Sequence, residues 1–258
     1  MMANLRLLAE RATHHFVMKR RLPASFARVP LFVSTEGGLR YLRLDLAKVD
    51  PELLQAAQEL VAPGDVVWDV GANVGLFTFA AAARAGPRGN VYAIEPDTWL
   101  ADLLRRSARL EQPNKARVYV LPVAVSDAVG VSPFNIAKRA RSANYLAGCG
   151  STQTGGVRET HWVVTVTLDW ILGHFPAPNV LKIDVEGAEG QVLAGASNLL
   201  SSTRPRILCE VAKENAGTVS HLLHSFDYVL YDASVGRSKR EPLESAAPST
   251  IAYPSGRQ

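Results

Sequence analysis

Two acidic residues follow apolar stretches of the chain at places where their carboxylates could bind a ligand. Asp69 lies within the run VVWDV, and Glu95 ends the run NVYAIE. A carboxylate accepts hydrogen bonds from an ammonium group, and its two oxygens can also accept from both hydroxyls of a ribose. The pair therefore predicts a site for a ligand that carries an ammonium group and a ribose.

A short glycine-containing segment, GANVG, lies between the two acids. Gly71 and Gly75 allow a tight turn, and good helix formers follow, so free N–H groups should point at the ligand. A dinucleotide site has the spacing G-x-G-x-x-G, and Asp69 would repel a phosphate, so the segment favours S-adenosylmethionine over NAD. The predicted cofactor-binding residues here are Asp69, Gly71, Ala72, Asn73, Gly75, Glu95 and Pro96.

Acidic residues also stand at the end of a later apolar run, NVLKIDV. The run predicts a buried strand, and Asp184 and Glu186 lie at its end. In an open α/β sheet, ligands bind at the carboxyl ends of the strands. We therefore expect these acids to lie near the same ligand as Glu95.

The elements that would position these acids are strands and helices in alternation, which indicates a parallel sheet with right-handed crossovers. Core strands are predicted at 65–70, 90–94 and 117–121 and for NVLKIDV and RPRILCEV, with helices at 74–85 and 97–111. DYVLYD and STIAYP would close the sheet as a sixth strand and an antiparallel seventh. The predicted fold class is therefore α/β.

Residues 1–50 are predicted to form an N-terminal extension, and residues 51–258 the main domain. The extension would contain a helix to about Lys19 and a short hairpin, in which LFVST and LRYLRLDL flank a turn at Gly37–Gly38. The main domain would begin with a helix at Pro51, because proline is favoured at the first helical position.

The segment at about 130–165 is predicted to be a lid-like insertion at the cofactor edge of the sheet. VSPFNIA and HWVVTVTL are typical of strands, but the part between them is polar, glycine-rich and irregular, which is typical of a functional loop or a solvated one. The predicted substrate contacts are Arg139, Arg141, Asn144 and Tyr145. Just before the insertion, Ser126 or Asp127 could bind an adenine or simply form a turn.

Length and composition fit one α/β domain of soluble type, since 47% of the 258 residues are apolar and 20% are charged. The chain has no run of about eighteen apolar residues, so no transmembrane helix is expected. The basic N-terminus lacks the apolar core of a signal peptide, and Cys149 and Cys209 form no C-x-x-C motif. A cytoplasmic protein without disulfides or zinc is therefore predicted.

The formal charge of +4 raises the question of nucleic-acid binding, which needs clustered cations. The cations here are scattered, with small groups at Lys19–Arg21, Lys138–Arg141 and Arg237–Arg240. Solvated loops explain this pattern better, so no nucleic acid is expected. An anionic substrate, a membrane surface and a homo-oligomer stay open as alternatives.

Four segments of the chain resemble the FkbM-type methyltransferases, a branch of the class I S-adenosylmethionine-dependent enzymes. They are VVWDVGANVG, VYAIEPD, LDW and LKIDVEGAEGQVLAGA, and the likeness spans roughly 61–211. The resemblance implies a three-layer, Rossmann-like fold with a mostly parallel seven-stranded sheet in the order 3-2-1-4-5-7-6. It also implies transfer of a methyl group to a hydroxyl oxygen of a small-molecule or glycan acceptor, such as a sugar or a natural product.

A hydroxyl is a poor nucleophile until its proton leaves, so the implied activity needs a base. The predicted catalytic residues are Asp184, Glu186 and Lys182, with Lys182 on the same strand face as Asp184. Asp184 could instead bind the ammonium group of the cofactor, and Glu186 could cap the following helix.

Three alternatives differ in the chemistry that they require. A divalent cation is not favoured, and it would use Asp184 and Glu210 as oxygen ligands. A nucleobase N-methyltransferase would have N/D-P-P-Y/F where this chain has IDVE. A non-catalytic S-adenosylmethionine-binding or scaffold protein would keep Asp69 and Glu95 without needing Asp184 or Glu186.

Overall fold

The computed structural model describes residues 16–138, 140–149 and 155–256, which form alternating strands and helices. The strands are β1 (Val17–Arg21), β2 (Pro30–Ser34), β3 (Val66–Val70), β4 (Asn90–Ile94), β5 (Arg117–Leu121), β6 (Ala124–Val125), β7 (Gly130–Ala137), β8 (Tyr145–Leu146), β9 (Val157–Val166), β10 (Val180–Ile183), β11 (Arg206–Glu210), β12 (Tyr228–Asp232) and β13 (Ser249–Pro254). The α-helices are α1 (Pro51–Leu60), α2 (Leu76–Ala85), α3 (Thr98–Ala108), α4 (Leu168–Leu172), α5 (Glu189–Ala194) and α6 (Ala216–Ser225).

Seven of the described strands form a central sheet in the order β12-β13-β11-β10-β3-β4-β5. With these strands numbered one to seven along the chain, the order from the β5 edge reads 3-2-1-4-5-7-6. β13 is antiparallel to both of its neighbours, and the remaining pairs are parallel. Because β3 and β10 are parallel neighbours, the acids at their carboxyl ends lie at the same end of the sheet.

Helices cover both faces of the sheet, which gives the three layers of a Rossmann-like α/β fold. Successive residues of β3 face opposite layers: Val67 packs with residues of α1, α2 and α3, and Trp68 packs with residues of α4, α5 and α6. Both side chains are fully buried, as expected for a central parallel strand. The predicted fold class is confirmed. None of the described helices is long and apolar enough to cross a membrane.

The N-terminal segment forms a hairpin different from the one predicted. β1 and β2 are antiparallel partners, with Val17 opposite Ser34. The predicted helix to about Lys19 is therefore wrong from Val17 onwards, and residues 1–15 lie outside the described chain. A distant contact fixes the hairpin, because the Phe32 N–H on β2 donates to the Ser107 hydroxyl on α3 at 2.8 Å.

The segment LRYLRLDL forms 3-10 helices at Leu39–Leu42 and Leu46–Lys48, so the predicted hairpin turn at Gly37–Gly38 is also wrong. A half-buried strand places alternate residues against the core. In this segment Leu42 and Leu44 share one such face, and both are exposed. Leu46 would lie on the same face and is buried, so the segment does not show the one-sided burial of a strand.

The insertion forms a second sheet, whose described strands have the order β6-β9-β7-β8. β7 and β9 pair antiparallel from Gly130 opposite Thr165 onwards, which confirms the strands predicted for VSPFNIA and HWVVTVTL. Between them, Arg141–Ala143 form a 3-10 turn and β8 pairs with β7, so this part is more regular than predicted. Arg139 and residues 150–154 lie outside the described chain.

Candidate functional site

An open pocket lies at the carboxyl ends of β3, β4 and β10, with about 580 Å³ of empty space that includes part of the surrounding solvent. Ligands of open α/β sheets bind at this end. The apolar part of the wall contains Val70, Ile94, Val123, Ala124, Val125, Phe134 and Leu146. The polar part contains Asn73, Glu95, Arg141, Ser142, Asn144, Asp184 and Glu186. The pocket thus brings together residues of the sheet and of the insertion.

The turn after β3 approaches β10 so closely that it requires glycine. Gly71 has φ +76°, and a Cβ on it would lie 1.7 Å from the carbonyl oxygen of Asp184. The N–H groups of Gly71 and Ala72 donate to the Ile94 carbonyl, which ties the turn to β4. Gly71 lies on the pocket wall, whereas the predicted residues Ala72 and Gly75 lie behind it.

Glu95 lies on the pocket wall beside Pro96, with its carboxylate already hydrogen-bonded to the backbone. The Asn73 N–H donates to Oε2 at 2.8 Å, and the Asp97 N–H donates to Oε1 at 2.9 Å. Burial raises the pKa of Glu95 to about 8. With this pKa the group is mostly protonated at neutral pH and has one O–H donor besides its remaining acceptor capacity, so Glu95 can still form hydrogen bonds to hydroxyl groups.

Asp69 was predicted to contact the ligand, but it does not lie on the pocket wall. Its side chain is fully buried, because strand alternation directs it away from the pocket that Val70 lines. The Thr78 hydroxyl donates to Asp69 Oδ2, and Lys182 Nζ lies 3.1 Å from Oδ1. The ammonium group that Asp69 binds is therefore that of Lys182.

Lys182 connects the ends of β3 and β10 through three contacts. Its Nζ donates to the Gly71 carbonyl at 2.8 Å and lies 3.1 Å from Asp69 and 3.3 Å from Asp184. Burial alone would lower the pKa of Lys182, but the carboxylates of Asp69, Asp184 and Glu210 together raise it well above the usual value. Lys182 therefore stays charged and orients its neighbours, through one hydrogen bond to the Gly71 carbonyl and two ion pairs.

The two acids after β10, Asp184 and Glu186, lie on the pocket wall at the end of the sheet where they were expected. Asp184 is held by Lys182, and its side chain remains 28% exposed. Glu186 has the left-handed φ of +50° and has no hydrogen-bond partner among the described residues. Burial, and then the charges of Asp184 and Glu189, raise the pKa of Glu186 to about 7. A carboxylate with this pKa exchanges protons near neutral pH.

Arg141 and Asn144 line the pocket, but their polar groups bind other protein groups. Arg141 is buried, and its guanidinium pairs with Glu36 at 2.9 Å and with Asp97. Asn144 donates to the same carboxylate of Asp97 at 2.8 Å and accepts from a backbone N–H of β7. A buried guanidinium needs such partners, so these residues attach the insertion to α3 and to the N-terminal segment.

The other predicted substrate contacts fall elsewhere. Tyr145 is half-buried on β8 and lies off the pocket wall, and Arg139 lies outside the described residues. Ser142, which was not among the predicted residues, lies on the wall between Arg141 and Asn144. No pattern in the sequence distinguishes this serine from its neighbours.

Ser126 and Asp127 form a turn rather than part of the pocket wall. The Ser126 hydroxyl donates to Asp127 Oδ1 at 3.1 Å and to Gln191 Oε1 at 3.4 Å. The prediction that one of them binds a base does not fit this position. The wall is formed by the preceding residues 123–125, whose apolar run after β5 was the available signal.

The described residues contain no group of three or more His, Cys, Asp or Glu side chains that could hold a metal ion. The charge next to Asp184 is that of the Lys182 ammonium. Glu210 lies off the pocket wall, and the nearby charge of Asp184 raises its pKa.

Comparison with known proteins gives a consistent family. A family model described as the methyltransferase FkbM domain matches residues 69–230. The hexuronic acid methyltransferase AglP of Haloferax volcanii is 31% identical over 154 residues, which are 58% of this chain and 56% of that protein. The AMB antimetabolite synthetase AmbE of Pseudomonas aeruginosa is 30% identical over an alignment of 196 residues that covers 62% of this chain and 9% of that protein.

One solved structure of the same family name is also similar. The methyltransferase FkbM of Methylobacillus flagellatus has a TM-score of 0.47 and 14% identity, covering 84% of this chain and 58% of that chain. This chain spans about half the length of AglP and less than a tenth of AmbE. The family model covers more than half of this chain and includes the ends of β3, β4 and β10. The chain therefore belongs to the FkbM-domain methyltransferases.

Proposed function

We propose that the protein is an S-adenosylmethionine-dependent O-methyltransferase that acts on a hydroxyl of a sugar or natural-product acceptor. The observation that carries this proposal is that Glu95 and Glu186 lie on one pocket wall, and that Glu186 has no hydrogen-bond partner among the described residues. The first suits a nucleoside, and the second suits removal of a proton.

The residues of the pocket fit S-adenosylmethionine chemically. The apolar side chains at residues 123–125 and at Phe134 offer a surface for a planar base, and Glu95 offers acceptors for ribose hydroxyls. Asp184, partly exposed on the wall, can accept from an ammonium group. When bound, the cofactor supplies a methyl group on a positively charged sulfur.

Glu186 is the proposed base. Its carboxylate would take the proton of the acceptor hydroxyl, which makes the oxygen a better nucleophile. A base is most effective when its pKa lies near the working pH, and burial raises the pKa of Glu186 to about 7. Lys182 binds both Asp184 and the Gly71 carbonyl, which fixes the ends of β3 and β10 relative to each other at the pocket.

A sugar acceptor is supported by the function of one relative. AglP, which is 31% identical over part of its length, is a hexuronic acid methyltransferase. Sugar hydroxyls are the type of acceptor that a carboxylate base can serve. Glucuronic acid is therefore the first acceptor to test, with glucose as its neutral counterpart.

Two measurements test the proposal. Calorimetry should detect binding of S-adenosylmethionine and S-adenosylhomocysteine but not of NAD. Incubation with a methyl-labelled donor and a panel of uronic acids, neutral sugars and hydroxylated natural products should give a labelled methyl ether. Binding of NAD in place of the two sulfur compounds would overturn the cofactor assignment, and label found on an amine would overturn O-methylation.

A further inference from the structure

The turn after β10, residues 184–188 and here called the β10 turn, has a backbone conformation that most residues avoid. Glu186 has φ +50°, and Gly187 has φ +97°. A non-glycine residue stays in this left-handed region only where its surroundings hold it. The direction of the Glu186 carboxylate therefore depends on the groups that fix the Gly187 backbone.

Three separate elements hold Gly187. Its N–H donates to Glu189 Oε1 on α5 at 2.8 Å, and its carbonyl accepts from Asn215 Nδ2 at 2.8 Å. A Cβ on Gly187 would lie 2.1 Å from the carbonyl oxygen of Cys149 in the insertion. Both polar backbone groups of Gly187 are thus engaged, and its open side is covered.

Asn215, directly before α6, is the residue that joins these contacts. The same Nδ2 that donates to Gly187 also donates to Glu189 Oε2 at 2.6 Å. Both partners are acceptors, which assigns the amide nitrogen rather than the oxygen to this position. A carboxylate at residue 215 would have no hydrogen to donate and would repel Glu189.

We infer that Asn215 is a positioning residue, which keeps the Glu186 carboxylate directed into the pocket by holding Gly187 and Glu189. Asn215 is not one of the described residues that line the pocket, so it acts on Glu186 through the β10 turn. The inference rests on the proposed function, in which Glu186 is the base. Without Asn215, the Gly187 carbonyl loses this hydrogen bond, and the Glu186 side chain can turn towards solvent.

The test uses the variants Asn215→Asp and Asn215→Leu, which both remove the two donors at nearly constant size. Carbon-13 NMR of the full chain, labelled at the glutamate carboxyls, follows the titration of Glu186, whose signal is identified by its absence from Glu186→Gln. In the native pocket burial, and then the charges of Asp184 and Glu189, raise the pKa of Glu186 to about 7, against Arg40 and Lys182, which lower it. The expected midpoint in both variants falls by about one unit or more, towards the usual 4.3 or so.

The two variants separate orientation from charge. An added carboxylate raises the pKa of a neighbouring acid, so a fall in Asn215→Asp has to come from movement of Glu186. The inference is overturned if the midpoint stays near 7 in Asn215→Leu and stays or rises in Asn215→Asp. Thermal denaturation confirms folding, and a folding defect in one variant leaves the other decisive. Turnover of Glu186→Gln at the wild-type rate would remove the proposed base without altering the titration result.

Discussion

Two parallel neighbours, β3 and β10, each present an acid near the same end of the sheet, and the surroundings of the two acids are opposite. Asp69 is fully buried and is bound by Thr78 and Lys182. Glu186 lies on the pocket wall without a hydrogen-bond partner in the described chain, in a left-handed conformation. One acid is fixed by its partners, and the other is left available to a ligand.

This difference shows what separates a structural acid from a chemical one. A buried carboxylate keeps its charge when a cation and a hydroxyl compensate it, and it then stabilises the arrangement of the strands. A carboxylate without such partners has its pKa raised by burial, which suits proton transfer. Both are carboxylic acids near the carboxyl ends of neighbouring strands, and the groups around each one decide its role.

The largest expected effect is on turnover in Glu186→Gln. The amide cannot take a proton, so kcat should fall by about 10²–10⁴-fold, while the Kd for S-adenosylmethionine changes little. Labelled methyl transfer and calorimetry measure the two quantities. Glu111→Gln, which changes an exposed glutamate outside the pocket, is the control. Equal turnover in both variants would contradict a base role for Glu186.

The next effect is on stability in Lys182→Met. Removing the ammonium leaves Asp69 buried without a cation, so the free energy of unfolding should fall by about 3–5 kcal/mol. Urea denaturation gives this value, and Lys48→Met, at an exposed lysine, should change it little. A loss of less than about 1 kcal/mol would mean that Asp69 does not depend on Lys182.

A smaller stability effect is expected in Thr78→Val, which keeps the shape of the side chain and removes the hydroxyl that binds Asp69. A hydrogen bond to a charged group contributes about 1.5–3 kcal/mol, and the free energy of unfolding should fall by that amount. Because Thr78 lies off the pocket wall, kcat should stay close to that of the native protein. Thr98→Val, at an exposed helical threonine, is the control. A fall in kcat without a fall in stability would mean that Asp69 takes part in the reaction rather than in holding the strands.

The features that depend on local pattern could be predicted from the sequence. Alternation of apolar strands and helices predicts the α/β class, and the glycine spacing of GANVG predicts the turn after β3. The acids that follow strands also lie at one end of the sheet, because parallel strands end there. Glu95 and Glu186 are on the pocket wall for this reason.

The features that depend on distant partners could not be predicted. Asp69 is compensated by Lys182, which becomes its neighbour only when β3 and β10 pair. Arg141 is bound by Glu36, 105 positions away in the chain, so its guanidinium looked free for a substrate. The hairpin of β1 and β2 likewise depends on packing against α3. Burial and long-range pairing decide these roles, and neither is visible in a local pattern.

The pH dependence of kcat tests most directly whether the acid after β10 acts as the base. Since burial raises the pKa of Glu186 to about 7, the charged form required of a base prevails only above that pH. For the native protein with its acceptor, kcat should therefore fall about tenfold per unit as the pH drops below 7. The same limb should be missing from the residual activity of Glu186→Gln. An identical limb in both proteins, or none in the native one, would contradict the assignment of Glu186 as the base.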